Sequence, residues 1–162
     1  MTKKLLTFGA LAVAAVAAYA VIVDGAIGRG VAVNADGVRG RFDFHVRKVV
    51  DGDRTRVLGG GTFGISNRED ARRLAITFMA DRFAVNGTVA EFGGPGLRVV
   101  WANGVRREVR GRVSVRVNDR FRDGAGDPDQ FAIGFDAPGT EHDTVFRGAV
   151  AEGGLSVFHE ER

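Results

Sequence analysis

From Val38 onward, apolar residues recur at every second position through most of the chain, the period of half-buried β-strands. In VRGRFDFHVRKV, Val38, Phe42, Phe44 and Val46 share one face, and Arg39, Arg41, Asp43, His45 and Arg47 share the other. Asp51-Gly52 closes this strand with a hairpin signal. The next strand runs from Thr55 to Ser66, with Gly59-Gly60-Gly61 marking a bulge or bend. Asn67 could cap a helix over 67–71, but RRLAITFMA is too short and too rich in β-formers to sustain one, so Arg73 to Met79 reads as a strand.

Asp81-Arg82 is a tight turn, and Phe83 to Phe92 returns as one strand with a bulge at Asn86-Gly87; two short strands joined there are the alternative. Gly93-Gly94-Pro95-Gly96 reads as a turn. Leu97 to Trp101 follows, then an Asn103-Gly104 hairpin, then a long strand from Val105 to Asn118 with Val113, Val115 and Val117 inward. A loop from Asp119 to Asp129 leads to strands at Phe131 to Phe135, Thr144 to Val150 and Leu155 to His159. Ala151-Glu152-Gly153-Gly154 joins the last two.

These elements predict an all-β fold: a single antiparallel barrel-like domain of about eight to nine strands over 38–162. A two-sheet β-sandwich is the alternative. Long strands that bend at glycines, consecutive hairpins, and a strong final strand able to pair back to the first favour the barrel. Residues 21–37, rich in Gly, Ala and Asp, read as a flexible lead-in with at most an edge strand at Val31 to Val33.

The first twenty residues follow a different pattern. Lys3 and Lys4 precede an apolar run from Leu5 through Val16, and Ala18-Tyr19-Ala20 forms a small-x-small cleavage site, so 1–20 reads as a signal peptide helix. Extended to Val23, the run reaches about 19 residues, close to what a spanning helix needs. Its Ala-rich composition and the lack of a basic cluster after it argue for cleavage over retention as an anchor. The expected protein is secreted or extracytoplasmic, begins at Val21 and has no stable membrane insertion after cleavage.

Cleavage changes the charge balance. The chain carries 23 basic and 20 acidic residues, and losing Lys3 and Lys4 leaves 21 against 20. With the arginines spread among acids rather than gathered in a stripe, a nucleic-acid partner is not expected. There are no cysteines, so disulfide stapling and thiol chemistry are excluded. Eleven of the 12 phenylalanines lie beyond the leader, mostly at inward positions, and form the expected core.

Candidate chemistry is sparse. Asp119, Asp123, Asp127 and Asp129 place four carboxylates and two glycines in one loop, a donor set suited to Ca²⁺. The spacing is not that of an EF-hand, and the same residues serve turn geometry in a plain hairpin loop. Ca²⁺ is the one cofactor this pattern allows. His45, His142 and His159 are too scattered to nominate a zinc site. Ser66, Ser114 and Ser156 lie outside any G-x-S-x-G elbow, and GGGTFG at 59–64 is followed by no lysine-bearing helix, so it reads as a β-bend. No catalytic residue is assigned, and the chain is not expected to be an enzyme.

GRFDFHV near the domain start, NDRFRDGAGDPDQFAIGF at 118–135 and GAVAEGGLSVFHEE at 148–161 resemble a group of small, secreted, mostly bacterial β-domain proteins. That group shares a G-x-F-x-F first strand, an Asp/Gly loop before an aromatic strand, and a terminal Gly-Gly-x-x-x-x-His strand. It has no established activity, so the resemblance implies export and a β fold and carries over no site residue. Many of its members have a cysteine in the central strands where this chain has Phe78 or Met79. The expected function is that of an interaction or cell-envelope module with an unknown extracellular partner. A small apolar ligand carrier using the barrel interior is the alternative.

Overall fold

A computed structural model describes residues 20–67, 72–121, 126–139 and 143–161. These form nine strands: β1 Val21–Val33, β2 Arg39–Asp51, β3 Arg54–Asn67, β4 Arg72–Met79, β5 Arg82–Asn86, β6 Val89–Ala102, β7 Val105–Asn118, β8 Gln130–Asp136 and β9 Asp143–Glu161. All pairings are antiparallel. The ladder runs β4-β3-β2-β1-β9-β8-β7-β6, and a β4–β6 pairing closes it into an eight-stranded barrel. The final strand pairs back to the first along nearly the whole of β1, so the fold is a barrel and not a sandwich.

β5 is the ninth strand. β4 pairs with Gly96 to Trp101 of β6 and β5 with Val89 to Gly93, so the two lie end to end along the same edge. At the break, Ala80 N–H donates to the Gly59 carbonyl and Asp81 N–H to the Gly93 carbonyl, both at 2.9 Å.

Four expectations are corrected by this topology. Residues 21–33 are a central strand, hydrogen-bonded on both sides to β2 and β9. Its inward positions are Ala26, Gly28 and Ala32, too small to register as an apolar alternation. Gly93-Gly94-Pro95-Gly96 is not a turn but the middle of β6. A side chain at Gly93 would press on the Val113 carbonyl oxygen at 2.0 Å and one at Gly94 on the Met79 carbonyl oxygen at 2.2 Å, so close strand approach accounts for the glycines. Pro95 has the same hydrogen-bonding side as Gly93, and its missing N–H falls where β4 gives way to β5.

The chain turns at Gly87-Thr88, directly after Asn86 ends β5, with Gly87 at φ 59°, so the two-strand alternative holds there. Conversely, Ala151-Glu152-Gly153-Gly154 is no turn: β9 runs through it. The β1 partner jumps from Glu152 to Val150 between Val31 and Ala32, leaving Ala151 as a bulge, and Gly153 takes φ 79° beside it. The Asn103-Gly104 hairpin has both residues at positive φ, 51° and 75°, as the mirror-image turn requires.

Phenylalanine fills the barrel. Phe42, Phe44, Phe63, Phe78, Phe83, Phe92, Phe131, Phe135 and Phe146 are all buried. Phe42 stacks on Phe131 with centroids 4.7 Å apart, and chains of ring contacts run from Phe131 to Phe63 and Phe146 and through Phe44 to Phe92, Phe78 and Phe83. Glycine makes room for them. Following the ladder from β1, the directly paired residues are Gly28, Phe44, Gly61, Phe78 and Gly96. A side chain at Gly28 would strike the Phe44 ring at 2.6 Å and one at Gly61 the Phe44 Cβ at 2.7 Å, so each ring occupies the volume its glycine neighbours leave vacant. At one mouth, Arg98 turns inward, its guanidinium 4.8 Å from the Phe135 ring centroid and 3.1 Å from Asp143.

Candidate functional site

The Asp119 to Asp129 loop has a structural task. β9 continues past the start of β8, where Gln130 pairs with Ala149, and its next N–H groups face no strand on that side. Carboxylates take the place of the missing strand. Asp119 Oδ2 accepts from Val157 N–H at 3.0 Å, and Asp129 Oδ2 accepts from Leu155 N–H at 3.3 Å. Asp129 Oδ1 also accepts from Arg120 and Phe121 N–H, each at 2.9 Å, which folds the loop back on itself. Both aspartates are only 6% exposed.

Asp127 lies apart, exposed and paired with Arg120 at 3.1 Å; Asp123 lies outside the described residues. Among the described residues, no three His, Asp or Glu side chains are grouped so as to hold a metal ion. Of the histidines, His45 is exposed on the outer face of β2, and His159, also exposed, sits on β9 beside Asp24 of β1; His142 lies outside the described residues.

His159 belongs to a cluster that only strand register assembles. Asp24 on β1 is paired with Lys48 on β2 and with His159 on β9. Its Oδ1 lies 2.6 Å from His159 Nδ1 and its Oδ2 lies 3.1 Å from Lys48 Nζ. Burial alone would raise the Asp24 pKa. Hydrogen bonds from His159 and Lys48, with their positive charge, outweigh it and hold the carboxyl below its ordinary value. These contacts make an ionic clasp across three strands at the mouth where β1 begins and β9 ends.

A recess of about 510 Å³ lies on the outer wall, across β5 to β9. Register explains its shape. One outward row reads Arg82, Gly93, Ser114, Gly134 and Thr144; the next reads Ala84, Glu91, Arg116, Ala132 and Arg147. Small residues on three successive strands leave a trough at right angles to the strands. Arg116 is tied to Glu91 at 2.7 Å on one bank. Arg82 and Arg147 stand at the two ends, and neither meets a carboxylate among the described residues. Neighbouring acids are already engaged, Asp81 with Arg112 at 2.8 Å and Asp143 with Arg98 at 3.1 Å.

No signal in the sequence singled out this trough, because arginine occurs on nearly every strand and only the register of five strands aligns these residues. No known protein family, no curated protein and no solved structure matches the chain.

Proposed function

We propose that this protein is a secreted, non-enzymatic binding module of the cell exterior that engages its partner through the outer barrel wall. The observation that carries the reading is the stacked phenylalanine interior, which leaves the open recesses on the outside. Export is supported by the leader pattern of residues 1–20, in which two lysines, an apolar run and a small-x-small motif precede Val21. The resemblance to secreted β-domain proteins points the same way.

The outer wall carries Arg29, Arg41, His45, Arg112 and Arg116 in exposed positions, unlike the continuous apolar band of a lipid-embedded barrel. Among the described residues no helix is long and apolar enough to cross a membrane. Ser66, Ser114 and Ser156 hydrogen-bond no histidine among the described residues, so nothing here supports a hydrolase.

An apolar carrier would need the volume that the rings occupy. The test is titration of the mature protein with a fluorescent long-chain fatty acid. No saturable binding is expected. Stoichiometric binding to the folded protein would overturn the reading in favour of a carrier.

A further inference from the structure

We infer that the trough across β5 to β9 is a binding site for an extended, linear polyanion, a chain of repeated carboxylates or phosphates lying across the strands; this deepens the binding-module reading and rests on it. Arg82 is on β5 and Arg147 on β9, four strand spacings apart, so their backbones are about 19 Å apart along the wall. An extended chain matches that span better than a single small anion does. A chain laid along the row of Gly93, Ser114 and Gly134 reaches each end and passes Arg116 on the way.

The chemistry of the wall narrows the ligand further. Guanidinium groups bind carboxylate and phosphate oxygens in paired hydrogen bonds, and Ser114 and Thr144 add hydroxyls beside the floor. Among the described residues that line the trough the one anion is Glu91, which Arg116 neutralises, so these residues carry an excess of positive charge in a protein that is otherwise nearly balanced. Its outward-pointing floor side chains include no aromatic, because Phe83 and Phe92 are buried on the inner side. Without a stacking platform, single-stranded nucleic acid is a poor match.

The proposal is tested by calorimetric titration of the mature protein with a galacturonate oligomer and an inorganic polyphosphate of matched charge, alongside monomeric galacturonate, orthophosphate and a single-stranded DNA oligomer. At least one linear polyanion should bind at low salt, at least about tenfold more tightly than its monomer, and which one binds identifies the source of the anion. Arg82→Gln and Arg147→Gln should each weaken that binding about tenfold, with Arg41→Gln on the far wall as the unaffected control. Equal affinity for monomer and chain, tightest binding to the DNA, or unchanged affinity in both variants would each overturn the proposal. So would an absence of binding to every anion. That last result would leave the module reading intact, since the fatty-acid titration tests it independently.

Discussion

Asp24 shows how one buried carboxylate can join three strands. Isolated in this position it would be expelled or protonated, since an unpaired buried charge is costly. His159 and Lys48 make it a net asset by approaching from both neighbouring strands. Because its folded pKa lies below the ordinary value of 3.8, its ionised form favours the folded state. That contribution is fully present above the unfolded pKa and is lost as pH falls from there through the depressed folded value. Asp24→Asn should therefore lower stability near neutral pH and flatten the acid limb of the stability curve below about pH 4. Urea unfolding midpoints across pH 2 to 7, for both proteins, measure this; parallel acid limbs would contradict the role given to Asp24.

Among the elements, β9 depends most on help from outside the ladder. Its lower half has β1 on one side and the carboxylates of Asp119 and Asp129 on the other. Asp129→Ala strips three backbone N–H groups of their acceptor, and leaving buried donors unsatisfied costs roughly 1 to 3 kcal/mol each where water cannot reach them. A loss of about 2 to 4 kcal/mol is expected in denaturant unfolding. The same loop provides the calcium test. With Asp119 and Asp129 committed to N–H groups, millimolar Ca²⁺ should leave the thermal midpoint unchanged relative to chelator. A rise abolished by Asp123→Asn with Asp127→Asn would instead assign the loop to the metal.

Legibility in the sequence tracked the size of the inward side chains. β2 and β7 announce themselves because Phe42, Phe44, Val113 and Val115 alternate with arginines. β1 is hidden because its inward side is Ala and Gly, chosen by the rings across from it. Glycine also misled at 93–96 and 151–154. Gly and Pro usually punctuate, yet here they permit close strand contact or a bulge within a continuous strand. Asp119 and Asp129 were legible as residues of interest, but not their hydrogen bonds to β9, since spacing along a loop does not reveal which backbone groups it will face. The Asp24 clasp and the arginine trough left no local trace at all, being products of register.

For the molecule as a whole, the proposed export predicts one covalent fact: N-terminal sequencing of protein recovered outside the cytoplasm should begin at Val21. Intact Met1 in a membrane fraction would mean the apolar segment is retained as an anchor. Closure by β1 and β9 has a further consequence, for the order in which the protein can form. The first strand made waits for the last, so a partly made chain has both β1 and β8 edges open and much of its aromatic interior without a wall. Contacts between residues more than a hundred positions apart make this a slow, high-contact-order fold. A chain built this way is held from folding by its own topology until its final nineteen-residue strand is available, which is the condition a polypeptide needs to be threaded across a membrane unfolded and to assemble only on the far side.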